Sequence, residues 1–142
     1  MKNKRCGNCG SFEISKNQIT GPFRWKDYPM VYLVAPVELS QCNACGELMR
    51  FPQDFEKIDA AIEASLKEYT QFYMAKVLDR EKCKQIELAA RLGVSPEYLS
   101  SLKAGAKIPS FQTFNFLRTL AMNEGAFQVA DPENATKLAR AG

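Results

Sequence analysis

"QIELAARLGVSPEYLSSLKAG", residues Gln85 to Gly105, decides how the second half of this chain folds. Gln85 to Leu92 reads as a short helix with Leu88, Ala89 and Leu92 at inward spacing, and Gly93 as its stop. Ser95 is placed to cap a second helix. Pro96 takes that helix's first position, where a missing N–H costs nothing, and Gly105 lies past its end. Ala89 is small enough for the second helix to cross closely. Val94 plugs the space between them, and Leu99 and Leu102 face inward. Pro96, Glu97, Tyr98, Ser100 and Ser101 are left outward near the start of the second helix. In a helix-turn-helix these positions meet base edges in the major groove. Gln85 and Ser95, flanked by Lys84, Lys103 and Lys107, are placed to hold phosphates and fix the register. The bland alternative is a generic helical bundle with a solvated charged face. A bundle has no need of a small residue, a turn glycine, an apolar plug, a cap and a closing glycine at mutually compatible offsets.

Downstream, "IPSFQTFNFLRTLA" restarts with Ser110 as cap and puts Phe111, Phe114, Leu117 and Leu120 on one face. "ADPENATKLARAG" adds a short capped tail helix from Asp131. Upstream, Phe55, Ile58, Ile62, Leu66 and Tyr69 recur at helical spacing after Pro52, with an acidic opposite face. A further helix is expected across Gln71 to Asp79, with Phe72, Val77 and Leu78 among its apolar positions. Residues 1–51 are different in kind. "SFEIS" and "MVYLVAPVELSQC" are rich in strand formers, and "GPFRWKDYP" between them reads as an exposed loop or hairpin tip. Three segments follow: a module at 1–51, a helical connector at 52–69 and a helix-turn-helix domain at 70–142. The fold class is α+β, a small β-rich module before an all-α domain.

That first module carries "CGNCG" at Cys6 to Gly10 and "CNACGE" at Cys42 to Glu47, while the chain has no histidine. Cys6, Cys9, Cys42 and Cys45 form two C-x2-C pairs separated by thirty-two residues. Each pair spans two corners of a tetrahedron, so together they describe a closed Zn²⁺ site. Gly10 and Gly46 follow the pairs, which suits a turn of positive φ. A module this small has a meagre core, and zinc binding of order 10 kcal/mol supplies much of its folding free energy. Four thiolates around Zn²⁺ leave a charge of about −2, and Lys2, Lys4 and Arg5 are placed to offset it. Rubredoxin-like iron shares the spacing and is told apart by its colour. Catalytic zinc needs an open position and usually His or carboxylate ligands, which the pattern does not offer. Cys83 stands alone and reads as a small, partly buried apolar residue.

Charge and hydropathy set the remaining bounds. Residues 80–107 carry six basic and three acidic side chains, whereas 52–69 carry two and five. A positive excess over the helix-turn-helix suits an anionic partner. No apolar run reaches the ~20 residues of a membrane helix, and the N-terminus lacks the apolar core of a secretory signal. The expectation is a cytoplasmic protein with reduced thiols. A metalloenzyme or electron carrier needs an open site, iron or clustered carboxylates for a general base. The reading is therefore not an enzyme.

"KQIELAARLGVSPEYLSSLKAGAKIPSFQTFNFLRTLA" resembles the lambda-repressor/Xre-like helix-turn-helix family, and "PVELSQCNACGELM" with the upstream "CGNCG" resembles the YgiT-type zinc finger. The two in this order, joined by a helical connector, are similar to the MqsA-type antitoxins over roughly residues 5 to 122. The resemblance implies a homodimeric repressor on a palindromic operator in double-stranded DNA of its own promoter. It also implies a ribonuclease toxin docked on the zinc module. A stand-alone regulator without a toxin is the other reading. Members of that family can carry Asn and Arg where Glu97 and Ser101 stand here. Glutamate accepts from cytosine N4, so a different operator is expected. Lys103 occupies a place that is often acidic in Xre-like domains, which exchanges an internal ion pair for a phosphate contact.

Overall fold

The computed structural model describes residues 4–133. The expected tail helix from Asp131 lies, beyond Glu133, outside the described residues, as does Lys2. The chain divides into two compact units between Ser65 and Leu66. The architecture is α+β, with the strands and the four cysteines in the first unit and an all-helical second unit. Among the described residues no helix is long and apolar enough to cross a membrane.

The first unit is built on β1 (Ile14–Ile19), β2 (Phe23–Trp25), β3 (Tyr28–Val31), β4 (Val37–Cys42) and β5 (Leu48–Met49). One antiparallel sheet has the order β1-β4-β5, and β2 and β3 form a separate hairpin. The β1–β4 ladder runs from Ile14 opposite Cys42 to Ile19 opposite Val37, which delivers Cys42 to the end of the sheet. Alternation on β4 buries Val37 and Leu39 and exposes Glu38. "GPFRWKDYP" is more than an exposed tip. Phe23, Trp25 and Tyr28 are buried, and only the turn at Lys26 and Asp27 and the outward face of the hairpin meet solvent.

A single helix, α1 (Pro52–Glu81), replaces the two helices expected on either side of Thr70. Its interior contains no glycine or proline to break it. Thr70 is buried, and its hydroxyl donates to the Leu66 carbonyl one turn back, at 2.7 Å, so it interrupts nothing. Within the first unit, Ile58 and Ile62 are buried and Ser65 accepts the Val34 N–H at 3.0 Å. Phe55 and Phe72 belong to the apolar pattern but stay more than half exposed, at 53% and 58%.

The second unit adds α2 (Gln85–Leu92), α3 (Pro96–Lys103), α4 (Phe111–Met122) and α5 (Ala126–Val129). Its core joins Met74 and Val77 of α1 to Leu88, Ala89, Leu99, Leu102, Leu117, Leu120 and Phe127. The Arg80 guanidinium donates to the Leu120 and Ala121 carbonyls and satisfies the end of α4. Arg91 lies 3.9 Å over the Phe127 ring, donates to the Phe127 carbonyl, and pairs with Asp131. Helix α5 was not foreseen, because four residues carry too short a period to read.

Candidate metal centre and nucleic-acid interface

Cys6 and Cys9 sit on a loop before β1, Cys42 ends β4, and Cys45 lies on the turn between β4 and β5. The fold brings all four together, with every sulfur within 4.8 Å of the others. Cys6 Sγ is 3.6 Å from Cys45 Sγ, and Cys9 Sγ is 3.6 Å from Cys42 Sγ. Ligands about 2.3 Å from a tetrahedral ion are separated by about 3.8 Å, whereas a disulfide needs about 2.05 Å. The spacing therefore fits four thiolates around one ion and not two covalent bridges. Cys6 and Cys42 are buried, while Cys9 and Cys45 face solvent.

The two loops repeat one bonding scheme. The Cys6 N–H donates to the Ser11 carbonyl and the Gly10 N–H to the Cys6 carbonyl; likewise Cys42 to Glu47 and Gly46 to Cys42. Gly10 and Gly46 have φ of 79° and 82°, a conformation that glycine adopts without strain. Each glycine carbonyl is held by the residue that precedes its first cysteine: Arg5 Nε at 2.9 Å on Gly10, and Gln41 Nε2 at 3.0 Å on Gly46. Arg5 was expected only as a counter-charge; it is also a clamp. Lys4 lies 4.0 Å over the Phe51 ring.

A further side-chain contact crosses between the loops. The Asn8 side-chain amide donates to Cys45 Sγ at 3.6 Å. The Glu47 backbone N–H and then this amide pull the Cys45 thiol down to about 6. The Ser11 N–H acts on Cys9 in the same sense but is overridden by Cys42, desolvation, Cys45 and Cys6, and that thiol is pushed up to about 12. Nothing in the spacing of the cysteines signals Asn8, because its partner lies 37 residues away. Cys83 stands apart, half-buried against the helical core, where burial pushes its thiol up.

In the second unit, α2 ends on Gly93 in the left-handed conformation, φ 72°, and the Val94 N–H returns to the Ala89 carbonyl at 3.0 Å. Ser95 is extended and its hydroxyl accepts the Tyr98 N–H at 3.1 Å, so α3 starts on a made cap with Pro96 at its first position. Leu99 and Leu102 are fully buried, which anchors one face of α3. On its opposite face Pro96, Glu97 and Ser100 are exposed, as are Lys103 in its last turn and Lys107 beyond it. Tyr98 and Ser101 are half-buried. Tyr98 packs on the core with Lys107 Nζ 5.8 Å from its ring, and the Ser101 hydroxyl donates back to the Tyr98 carbonyl at 2.6 Å. Lys84 is exposed at the N-cap of α2, and Gln85, its first residue, is half-buried. Sequence reasoning missed Gln71, whose amide donates to the Lys103 carbonyl at 3.0 Å and closes the C-terminal end of α3.

No curated protein matches the chain. Residues 74–117, from within α1 to within α4, match the family model described as helix-turn-helix. The helical unit thus contains a helix-turn-helix, which suggests a DNA-binding regulator, and the unit before it gathers four thiols at metal-binding distance.

Proposed function

We propose that the protein is a sequence-specific transcriptional repressor that binds a palindromic operator as a homodimer, with one Zn²⁺ held by Cys6, Cys9, Cys42 and Cys45. In this reading Glu97, Tyr98, Ser100 and Ser101, led by Pro96, face the bases. Lys84, Gln85, Ser95, Lys103 and Lys107 hold phosphates. The observation that carries it is the two-sidedness of α3. Leu99 and Leu102 are sealed in the core, while the leading turn is capped from within and Pro96, Glu97 and Ser100 are exposed between exposed lysines. The similarity to MqsA-type antitoxins supports a finer version. There the protein represses its own operon, and a module at 1–51 binds a ribonuclease toxin, joined by a connector at 52–69 to the DNA-binding domain at 70–142.

A footprint of the purified protein on the DNA upstream of its own gene tests the first part. Two protected half-sites about one helical turn apart are expected; uniform, salt-labile coating without a discrete footprint would remove the repressor reading. Co-expression with the neighbouring reading frame tests the second part. Rescue from toxicity with co-purification supports the antitoxin, and a footprint without either leaves a stand-alone regulator.

The division of labour along α2 and α3 has its own test. Lys84→Ala is expected to weaken binding to all sequences and reduce the salt slope by about one. Glu97→Ala is expected to cost roughly 1–3 kcal/mol of discrimination at one base pair and to leave the salt slope alone. Titrations of operator and random DNA at several salt concentrations separate the two; equal losses on both DNAs from both changes would contradict the assignment.

A further inference from the structure

We infer that Asn8 is a positioning residue of the metal centre, tying the two cysteine loops together and slowing release of the ion. The inference rests on the four thiols holding a metal, and it concerns a residue that is not a ligand.

Each loop closes on itself through its own backbone bonds and its own side-chain clamp, Arg5 or Gln41. None of those bonds sets the distance between the loops. The Asn43 N–H, donating to the Glu13 carbonyl at 2.8 Å, joins the loops at their bases; the Asn8 amide joins them at the sulfurs, since it leaves the first loop and ends on Cys45 Sγ of the second. Its target is also one of the two open corners. Cys45 and Cys9 are exposed, whereas Cys6 and Cys42 are buried, so water and competing chelators reach the ion from the side that Cys45 shares with Cys9. A donor on a metal-bound thiolate draws off negative charge, and this matters where four thiolates surround a divalent ion. Lost donors around metal ligands typically cost 10–100-fold in metal affinity.

The full-length protein is loaded with one equivalent of Zn²⁺, and metal transfer to a chromophoric chelator is followed. Asn8→Ala removes the donor. Asn8→Asp keeps the shape but puts a carboxylate oxygen against the sulfur. Release is expected to accelerate roughly tenfold in the first and further in the second. With Co²⁺ in place of Zn²⁺, the thiolate-to-metal charge-transfer band is expected to move to lower energy in both variants, because a sulfur without a donor gives up an electron more easily. A residue that merely helped the loop fold would reduce loading and leave the band of the bound fraction in place. Release within twofold of wild type in both variants, or an unmoved band, overturns the role of Asn8 while the site stands. A wild-type chain that retains no metal overturns the site and the role together.

Discussion

A Cys42→Ser protein is expected to lose metal binding and the tertiary structure of its first unit together, while the second unit keeps its helices and whatever DNA binding the wild-type chain shows. Cys42 is fully buried at the end of β4, opposite Ile14 in the ladder, with its carbonyl taken by Gly46 and its N–H by Glu47. Serine preserves those backbone bonds but offers an alcohol where a thiolate is needed, and the remaining three cysteines cannot close a tetrahedron. The unit has a modest apolar core around Phe23, Tyr28, Val31, Leu33 and Leu39. A domain of about 60 residues buries only about 60% of the surface its unfolded chain exposes. Without a metal contribution of order 10 kcal/mol, such a core falls short. Metal content, the chemical-shift dispersion of residues 4–65 and operator binding are the three readouts. Retention of a dispersed first unit without metal would show that the ion is a passenger. Loss of DNA binding by an isolated 66–142 fragment would show that the helical unit is not self-sufficient.

Leu99→Ala is expected to have the second large effect, on the other unit. Leu99 is fully buried within a core shared by α1, α2, α3, α4 and α5, and it holds the underside of α3. Truncation of a buried leucine typically costs about 3 kcal/mol, enough to lower the melting temperature of a domain this size by roughly 10–20 °C. Total domain stabilities of about 5–15 kcal/mol leave little margin for it. DNA affinity should fall with the folded fraction, and the metal content of the first unit should not change. Ser100→Ala, one residue along on the exposed face, is expected to stay within about 0.5 kcal/mol of wild type. If Leu99→Ala and Ser100→Ala melt alike, α3 does not pack by this face.

The helix-turn-helix was legible because its signals are local. A glycine that must turn left at Gly93, a serine cap at Ser95, a proline at Pro96 and leucines at Leu99 and Leu102 each act within a few residues. The cysteine pairs were legible for the same reason, since C-x2-C-G specifies its own turn. The misreadings came where distant partners decide. Thr70 looked like the place for a break until its hydroxyl is seen donating within α1. "GPFRWKDYP" has the composition of a loop, yet its aromatic residues alternate into a hairpin whose buried face needs partners that the segment does not contain. Phe55 and Phe72 fit the helical stripe and still lie in solvent, because periodicity marks a direction and not an occupant. Around the metal centre, Arg5, Gln41 and Asn8 are ordinary polar residues by sequence, and only the closed fold reveals what they grip.

The twin bonding of Arg5–Ser11 and Gln41–Glu47 implies that each jaw of the clamp is cut to shape before the sheet brings the pair face to face. Injury to the strands should then thin the population of competent molecules without deforming the grip of those that remain. A titration would record a weaker apparent constant, and the cobalt-loaded fraction would keep an unaltered colour.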